Sequence, residues 1–363
     1  MLKLLKFLQE NNINVNSVEE MLKLEELNLS NNNLTTLPLE IGNLTNLKKL
    51  NLSFNKLTTL TPEIRSANST TSIYNLINLK TLNLSYNKLT TLSTEIRGAN
   101  STLSIRGANS TLSIGNLTKL EELILSNNVL TTLPPEIGNL TKLEILYLFN
   151  NKLTTLPPEF YKLINLEKLD LTNNNLSILP PEIGKLVNLK DLNLSFNELT
   201  TLPLEICNLT NLKKLNLWYS KLTTLPPEIR NLTKLEILHL FNNKLTTLPP
   251  EIGNLINLKK LYLSYNKLTT LPPEIGNLIN LEKLYLSRNK LTTLPLGIDR
   301  LPKKLFPKYL HKSYDESVKF RKAVKIIERA WMSYDWVPNS DGIANCALRS
   351  FRELQESNPE IFS

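Results

Sequence analysis

The chemically informative side chains of this chain are aromatic. Tyr147, His239, Tyr262 and Tyr285 are spaced by multiples of 23 residues. Phe149, Trp218 and Phe241 form a second series with the same spacing, and Tyr219, Tyr265 and Arg288 a third. Rings that return at a fixed interval point to one surface built many times over. Exposed aromatics offer large contact area at low entropy cost and tend to dominate binding energy. The chemistry these ten residues could perform is recognition of another protein.

Bond-making chemistry finds little support. The histidines are His239 and His311, the cysteines Cys207 and Cys346, and no cluster of them has metal-ligand spacing. No G-x-x-x-x-G-K-S/T or G-x-G-x-x-G loop is available to cradle a phosphate. No nucleophile stands beside a plausible base. We therefore expect no catalytic residue, cofactor, metal ion or small-molecule substrate. His239 reads as a lone surface residue.

The element that must position the rings is a unit best seen at Leu120–Thr141, LEELILSNNVLTTLPPEIGNLT. Its first half is L-x-x-L-x-L-x-x-N-x-L, carried by Leu120, Leu123, Leu125, Asn128 and Leu130. The second half, L-P-P-E-I-x-x-L, is carried by Leu133, Pro134, Pro135, Glu136, Ile137 and Leu140. Alternation of Leu123 and Leu125 around Ile124 predicts a short strand with two leucines inward and one residue outward. So short a strand cannot bury its face alone, so the units must stack. Asn128, where the chain leaves the strand, is placed to bond backbone groups of adjacent units. The prolines start a short helical turn without losing a needed donor, and Glu136 suits its positive end.

This skeleton and period resemble the leucine-rich repeat family, in the subclass with L-P-x-E-I-x-x-L units shared by Ras-associated cytosolic scaffolds, scribble-type proteins and plant intracellular Ras-group proteins. The resemblance covers residues 24–301. It implies an α/β fold: a curved solenoid with a parallel sheet on the concave face, short helical or irregular turns on the convex face, and helical caps. It also implies a non-catalytic scaffold that holds a partner protein on the concave face. Alternatives are a regulatory subunit or an adaptor for a small GTPase, a phosphatase or a ubiquitin ligase, acting through the C-terminal helices. A host-directed effector or a structural protein remains open as well. The near-identical, Asn- and Lys-rich repeats also resemble multigene sets of AT-rich protists, pathogens or large DNA viruses.

Eleven repeats are expected over 24–303, preceded by an N-terminal helical cap at 1–23 and followed by a C-terminal helical segment at 304–363. In the cap, Leu2, Leu4, Leu5 and Leu8 form an apolar helix face ended by Asn11-Asn12, and a second helix starts at Ser17 with Glu20 in a capping box. In the C-terminal segment, helices are expected near 315–333 and after Gly342, either docked on the last repeat or binding a partner separately. The repeat is interrupted by IRSANSTTS at 64–72 and by two copies of IRGANSTLS over 96–113. Both inserts fall after the isoleucine turn, which places them on the convex side and leaves the strand ladder intact. Ser220 replaces the turn asparagine and predicts a locally weaker ladder.

A formal net charge of +9 is spread over many lysines. Because Lys48-Lys49 in one repeat gives way to Glu121-Glu122 in another, the charge reads as mixed, and no nucleic-acid partner is expected. Lysines at 3 and 6 break the first apolar run, so neither a signal peptide nor membrane insertion is expected. Two cysteines in a chain of this length fit a reducing, cytoplasmic location.

Overall fold

The computed structural model describes residues 1–60, 72–92, 113–293, 295, 297–302 and 305. They belong to one compact unit, Met1–Leu305. The C-terminal segment and the two inserts fall almost wholly outside the described residues.

Each repeat contributes one three-residue strand: β1 Glu26–Asn28, β2 Lys49–Asn51, β3 Thr81–Asn83, β4 Glu122–Ile124, β5 Ile145–Tyr147, β6 Lys168–Asp170, β7 Asp191–Asn193, β8 Lys214–Asn216, β9 Ile237–His239, β10 Lys260–Tyr262 and β11 Lys283–Tyr285. They form one parallel sheet in sequence order. The register is set by leucine against leucine, as in Leu27 opposite Leu50 and Leu123 opposite Leu146. Leu50 pairs with Leu82, and Leu82 with Leu123, so the sheet passes both insert sites without a break. Leu123, Leu125 and their equivalents are buried, apart from the half-buried Leu286 of the last repeat, and they build one core running the length of the unit.

The chain returns along the other side through tight 3-10 turns. In the turn Pro135–Asn139, Pro134 holds extended backbone at the entry, Glu136 lies in the first turn, and Ile137 and Leu140 are buried. Neighbouring turns pack closely: a Cβ on Gly138 would meet the Glu159 carbonyl oxygen at 2.3 Å. Cys207 and Arg230 occupy the equivalent position in their repeats, so this spacing varies along the chain.

Two α-helices precede the sheet, α1 Leu2–Glu10 and α2 Val18–Leu22. Leu4, Leu8 and Met21 are buried, whereas Leu2 is 76% exposed and stands outside the apolar face expected for it. Ser17 caps α2 by accepting from the Glu20 amide at 3.1 Å, while Glu20 reaches back to the Asn16 amide at 2.9 Å. Among the described residues no helix is long and apolar enough to cross a membrane.

What locks one repeat to the next is the turn asparagine. Asn128 donates to its own Leu125 carbonyl and to the Leu84 carbonyl of the preceding repeat, both at 3.0 Å. Its Oδ1 accepts from the Leu89 amide of that preceding repeat at 3.0 Å. Asn55, Asn87, Asn151, Asn174, Asn197, Asn243 and Asn266 repeat this pattern, and all are buried. A second asparagine series caps the strands locally: Asn51, Asn83 and Asn193 each accept from the amide two residues on.

Two positions depart from these series. Ser220 occupies a ladder position with a side chain too short to reach back one repeat, and its buried hydroxyl has no hydrogen-bond partner. Asp170 stands in the strand-capping series, accepts from the Thr172 amide at 2.8 Å, and is buried beside Asp191. Burial raises its carboxyl from the ordinary carboxylate range to about 6, partly countered by hydrogen bonds from Thr172 and Asn193.

Both departures generate predictions. Ser220→Asn supplies the missing inter-repeat bonds and should raise unfolding free energy by about 1–3 kcal/mol in urea titrations. For Asp170 the folded carboxyl binds its proton more tightly than the unfolded one. Its favourable contribution is therefore complete below the unfolded value and lost as pH rises through about 6. Asp170→Asn should stabilise the protein by about 1–3 kcal/mol near pH 8, with the gain fading toward pH 4, as read by thermal melts across that range.

Candidate functional site

The outward-facing positions of the strands and of the turns that follow them form columns, one residue per repeat. The structure divides the ten candidate residues into three groups. His239, Tyr262 and Tyr285 occupy the last position of β9, β10 and β11 and are direct register partners. Their rings stack face to face, His239 on Tyr262 at 3.9 Å and Tyr262 on Tyr285 at 4.7 Å, with planes within 10°. His239 is thus half-buried in a stack, which corrects its reading as a lone surface residue. Burial, with Lys260 and Lys214 nearby, lowers its imidazole to about 4, so it is uncharged near neutrality. Burial likewise pushes the Tyr262 hydroxyl up to about 12.

The second group lies where the chain leaves the strands. Trp218 meets Tyr219 and Phe241 at 5.6 Å, and Phe241 meets Tyr265 at 4.9 Å. The Arg288 guanidinium lies 5.9 Å from the Tyr265 ring centre. Phe196, outside the ten candidates, joins this group by stacking on Tyr219 at 4.6 Å. Its place one residue before the turn asparagine Asn197 puts it in the same column as Tyr219, which is the signal that identifies it.

That column carries an unusual backbone. Phe54, Tyr86, Phe196, Tyr219, Tyr265 and Arg288 all have φ between 52° and 57°. Asparagine tolerates this left-handed region, and Asn127, Asn150 and Asn173 adopt it too. A bulky ring there costs about 1–2 kcal/mol. Stacking returns about 0.5–1.5 kcal/mol per pair, as between Phe54 and Tyr86 at 4.2 Å. Where rings are absent, amides replace them: Asn150 donates to Asn127 at 2.8 Å and Asn173 to Asn150 at 2.7 Å. Much of this column is therefore packing that holds the turns. The His239–Tyr262–Tyr285 stack sits on extended strand backbone and relieves no such strain.

Tyr147 and Phe149 form the third group, on and just after β5. Asp170 and Asn193, with Thr172 and Ser195 beside them, separate these two rings from the C-terminal aromatics. All ten candidates lie on the sheet side, but they are not one continuous patch.

Charge on this face is mixed, as in the alternating Lys213, Glu236, Lys259 and Glu282, but its balance is uneven along the sheet. Glu121, Glu122, Glu144, Glu167 and Asp191 surround the middle strands, with Lys190 paired to Glu167 at 2.5 Å and Lys214 to Asp191 at 3.5 Å. From β8 onward lysine predominates. Lys214, Lys260 and Lys283 open three of the last four strands, and Lys221, Lys244, Lys267 and Lys290 follow the turns one per repeat.

Models of leucine-rich repeats match residues 23–66, 78–99, 118–162, 141–199 and 164–217, and a leucine-rich repeat region model matches 204–293. No curated protein matches the sequence significantly. Among solved structures, a leucine-rich repeat protein of Leptospira interrogans is 38% identical with a TM-score of 0.61, covering 79% of this chain and 74% of its own. The ectodomain of the Arabidopsis thaliana receptor kinase GASSHO1/SCHENGEN3, in complex with Casparian strip integrity factor 2, is 32% identical with a TM-score of 0.57 over 74% of this chain and 33% of its own. The Arabidopsis receptor kinase HAESA, in complex with the peptide hormone IDA and the co-receptor SERK1, is 30% identical with a TM-score of 0.59 over 77% of this chain and 44% of its own. This chain spans less than half the length of either plant receptor. By its repeats, its sheet and its likeness to the Leptospira protein, the chain belongs to the leucine-rich repeat family.

Proposed function

We propose that this protein is a non-catalytic scaffold that binds a partner protein on the concave, sheet-lined face of its solenoid. The observation that carries this reading is the stack of His239, Tyr262 and Tyr285 on β9–β11. These rings occupy outward positions where Asn28, Asn51 and Asn83 suffice in the N-terminal repeats, and they relieve no backbone strain. Rigid, half-buried aromatics of this kind form binding hot spots. Solved family members bound to a peptide hormone or protein factor support a binding role.

Within the family, the L-P-x-E-I-x-x-L unit relates the chain to Ras-group and scribble-type cytosolic repeats. Cys207 is a buried free thiol, which fits a reducing cytoplasm. Residues 1–23 act in this reading as the N-terminal cap of the core.

The reading predicts that Tyr147→Ala/Trp218→Ala/Phe241→Ala/Tyr262→Ala loses its partner in quantitative affinity capture from source lysate while retaining its circular dichroism. The substitution Ile178→Asp, at an exposed position off the sheet, should leave capture unchanged. Because Trp218 and Phe241 also pack the turns, Tyr262→Ala alone serves as the milder variant and should weaken capture at least several-fold. Equal capture by all variants would exclude the concave face as the working surface.

A further inference from the structure

We infer that the C-terminal third of the sheet face, β8 to β11, is a docking groove for an extended acidic segment of a partner protein. The inference rests on the concave-face reading above and adds the chemistry of the occupant. Charge complementarity is the argument. Lys214, Lys260 and Lys283 share one strand position and line one side of the aromatic stack. Lys244, Lys267 and Lys290 follow the turns that carry Phe241, Tyr265 and Arg288, each held at an equivalent point by donating its backbone amide one repeat back, to Leu222, Leu245 and Leu268. The half-buried stack thus has one lysine row on its own strands and a second beyond the turns that follow them.

Apart from Lys214, these lysines are not consumed by local pairing. Lys259 is paired with Glu236 at 2.7 Å, Lys214 with Asp191, and Lys221 with Glu198. Lys244, Lys260, Lys267, Lys283 and Lys290 make no ion pair among the described residues, and the remaining acidic side chain at the groove is Glu282. Like charges at roughly 5 Å strand spacing repel one another, and an anionic occupant relieves that repulsion.

The ring geometry favours a peptide over a nucleic acid. Binding of single strands relies on bases stacking on open aromatic faces. Here Tyr262 has one face covered by His239 and the other by Tyr285, so the stack turns its edges outward. Edges and neutral hydroxyls suit carboxylates and side-chain packing. Four strands at about 4.8 Å spacing are crossed by about five extended residues, so a short acidic stretch spans the groove.

The test uses the full chain and a fluorescein-labelled peptide of alternating Glu and Tyr, about ten residues long, read by fluorescence anisotropy. Binding is expected, weakening with added salt and falling at least about tenfold in Lys244→Glu/Lys267→Glu/Lys290→Glu. These three side chains are exposed, so the fold should be unchanged by circular dichroism. Glu144→Lys/Glu167→Lys, in the acidic middle section, should leave affinity within about twofold. A matching Lys–Tyr peptide should not bind. Failure of the acidic peptide to bind, binding insensitive to the lysine reversals, or tighter binding of single-stranded oligothymidine would each overturn the inference. Partner capture that is lost in Tyr262→Ala but unaffected by the lysine reversals would overturn the acidic groove and leave the concave-face reading standing.

Discussion

A buried asparagine amide that serves two repeats at once is the interaction on which the rest of this structure depends. Each three-residue strand is too short to fix its own register, and leucine contacts alone are interchangeable between repeats. Asn128 removes the ambiguity, because its donor and acceptor groups reach specific backbone atoms of the preceding turn. An asparagine that slipped out of place would leave those groups buried and unpaired, at about 1–3 kcal/mol each. Repetition turns this local penalty into long-range order. The sheet can cross two interrupted repeats and keep leucine opposite leucine, since register is reset at every turn.

The same turn creates a secondary constraint that the surface then exploits. Holding the asparagine in place forces its predecessor into left-handed backbone, which L side chains avoid. The chain meets that cost in two ways, by asparagine side chains that bond to one another and by rings that stack. Along the column, asparagines stand at Asn31, from Asn127 to Asn173 and at Asn242, and rings at Phe54 and Tyr86, at Phe196 and Tyr219, and at Tyr265. An aromatic in this column is thus weak support for binding, whereas one on a strand, such as Tyr262, is stronger.

Period, strand positions, the ladder role of Asn128 and the weakness at Ser220 could all be read from the sequence, because each follows from a repeated local rule. The columns of candidate residues could be read for the same reason: a fixed period maps residue number onto surface position. What could not be read were relations between side chains in different repeats. Whether His239 stands alone or lies against Tyr262 depends on rotamers and strand spacing, and a list of histidines carries neither. Asp170 is another case. It looks like one more outward residue, yet burial beside Asp191 makes it a strained substitute for asparagine. Charge is a related case, since Lys213, Glu236, Lys259 and Glu282 alternate in one column as the early repeats suggested, while Lys221, Lys244, Lys267 and Lys290 keep one sign in another.

Separating the columns by task lets this fold change partners without losing stability. Inward leucines and turn asparagines are nearly invariant from repeat to repeat, and they supply the core and the register. Strand-surface positions touch neither, so Asn51 and Tyr262 occupy equivalent sites on the same scaffold. Lys244, Lys267 and Lys290 are similarly uncoupled from the core, because their backbone amides hold position while their side chains are exposed. Recognition can then be built by accumulation: each repeat adds one ring or one charge at a set interval, and affinity grows with the number of repeats engaged. Where adjacent repeats carry the same choice, as the lysines do after β8, small contributions add along a line. An extended chain matches a line better than a compact epitope does, and the proposed acidic occupant rests on this geometry and the charge it carries.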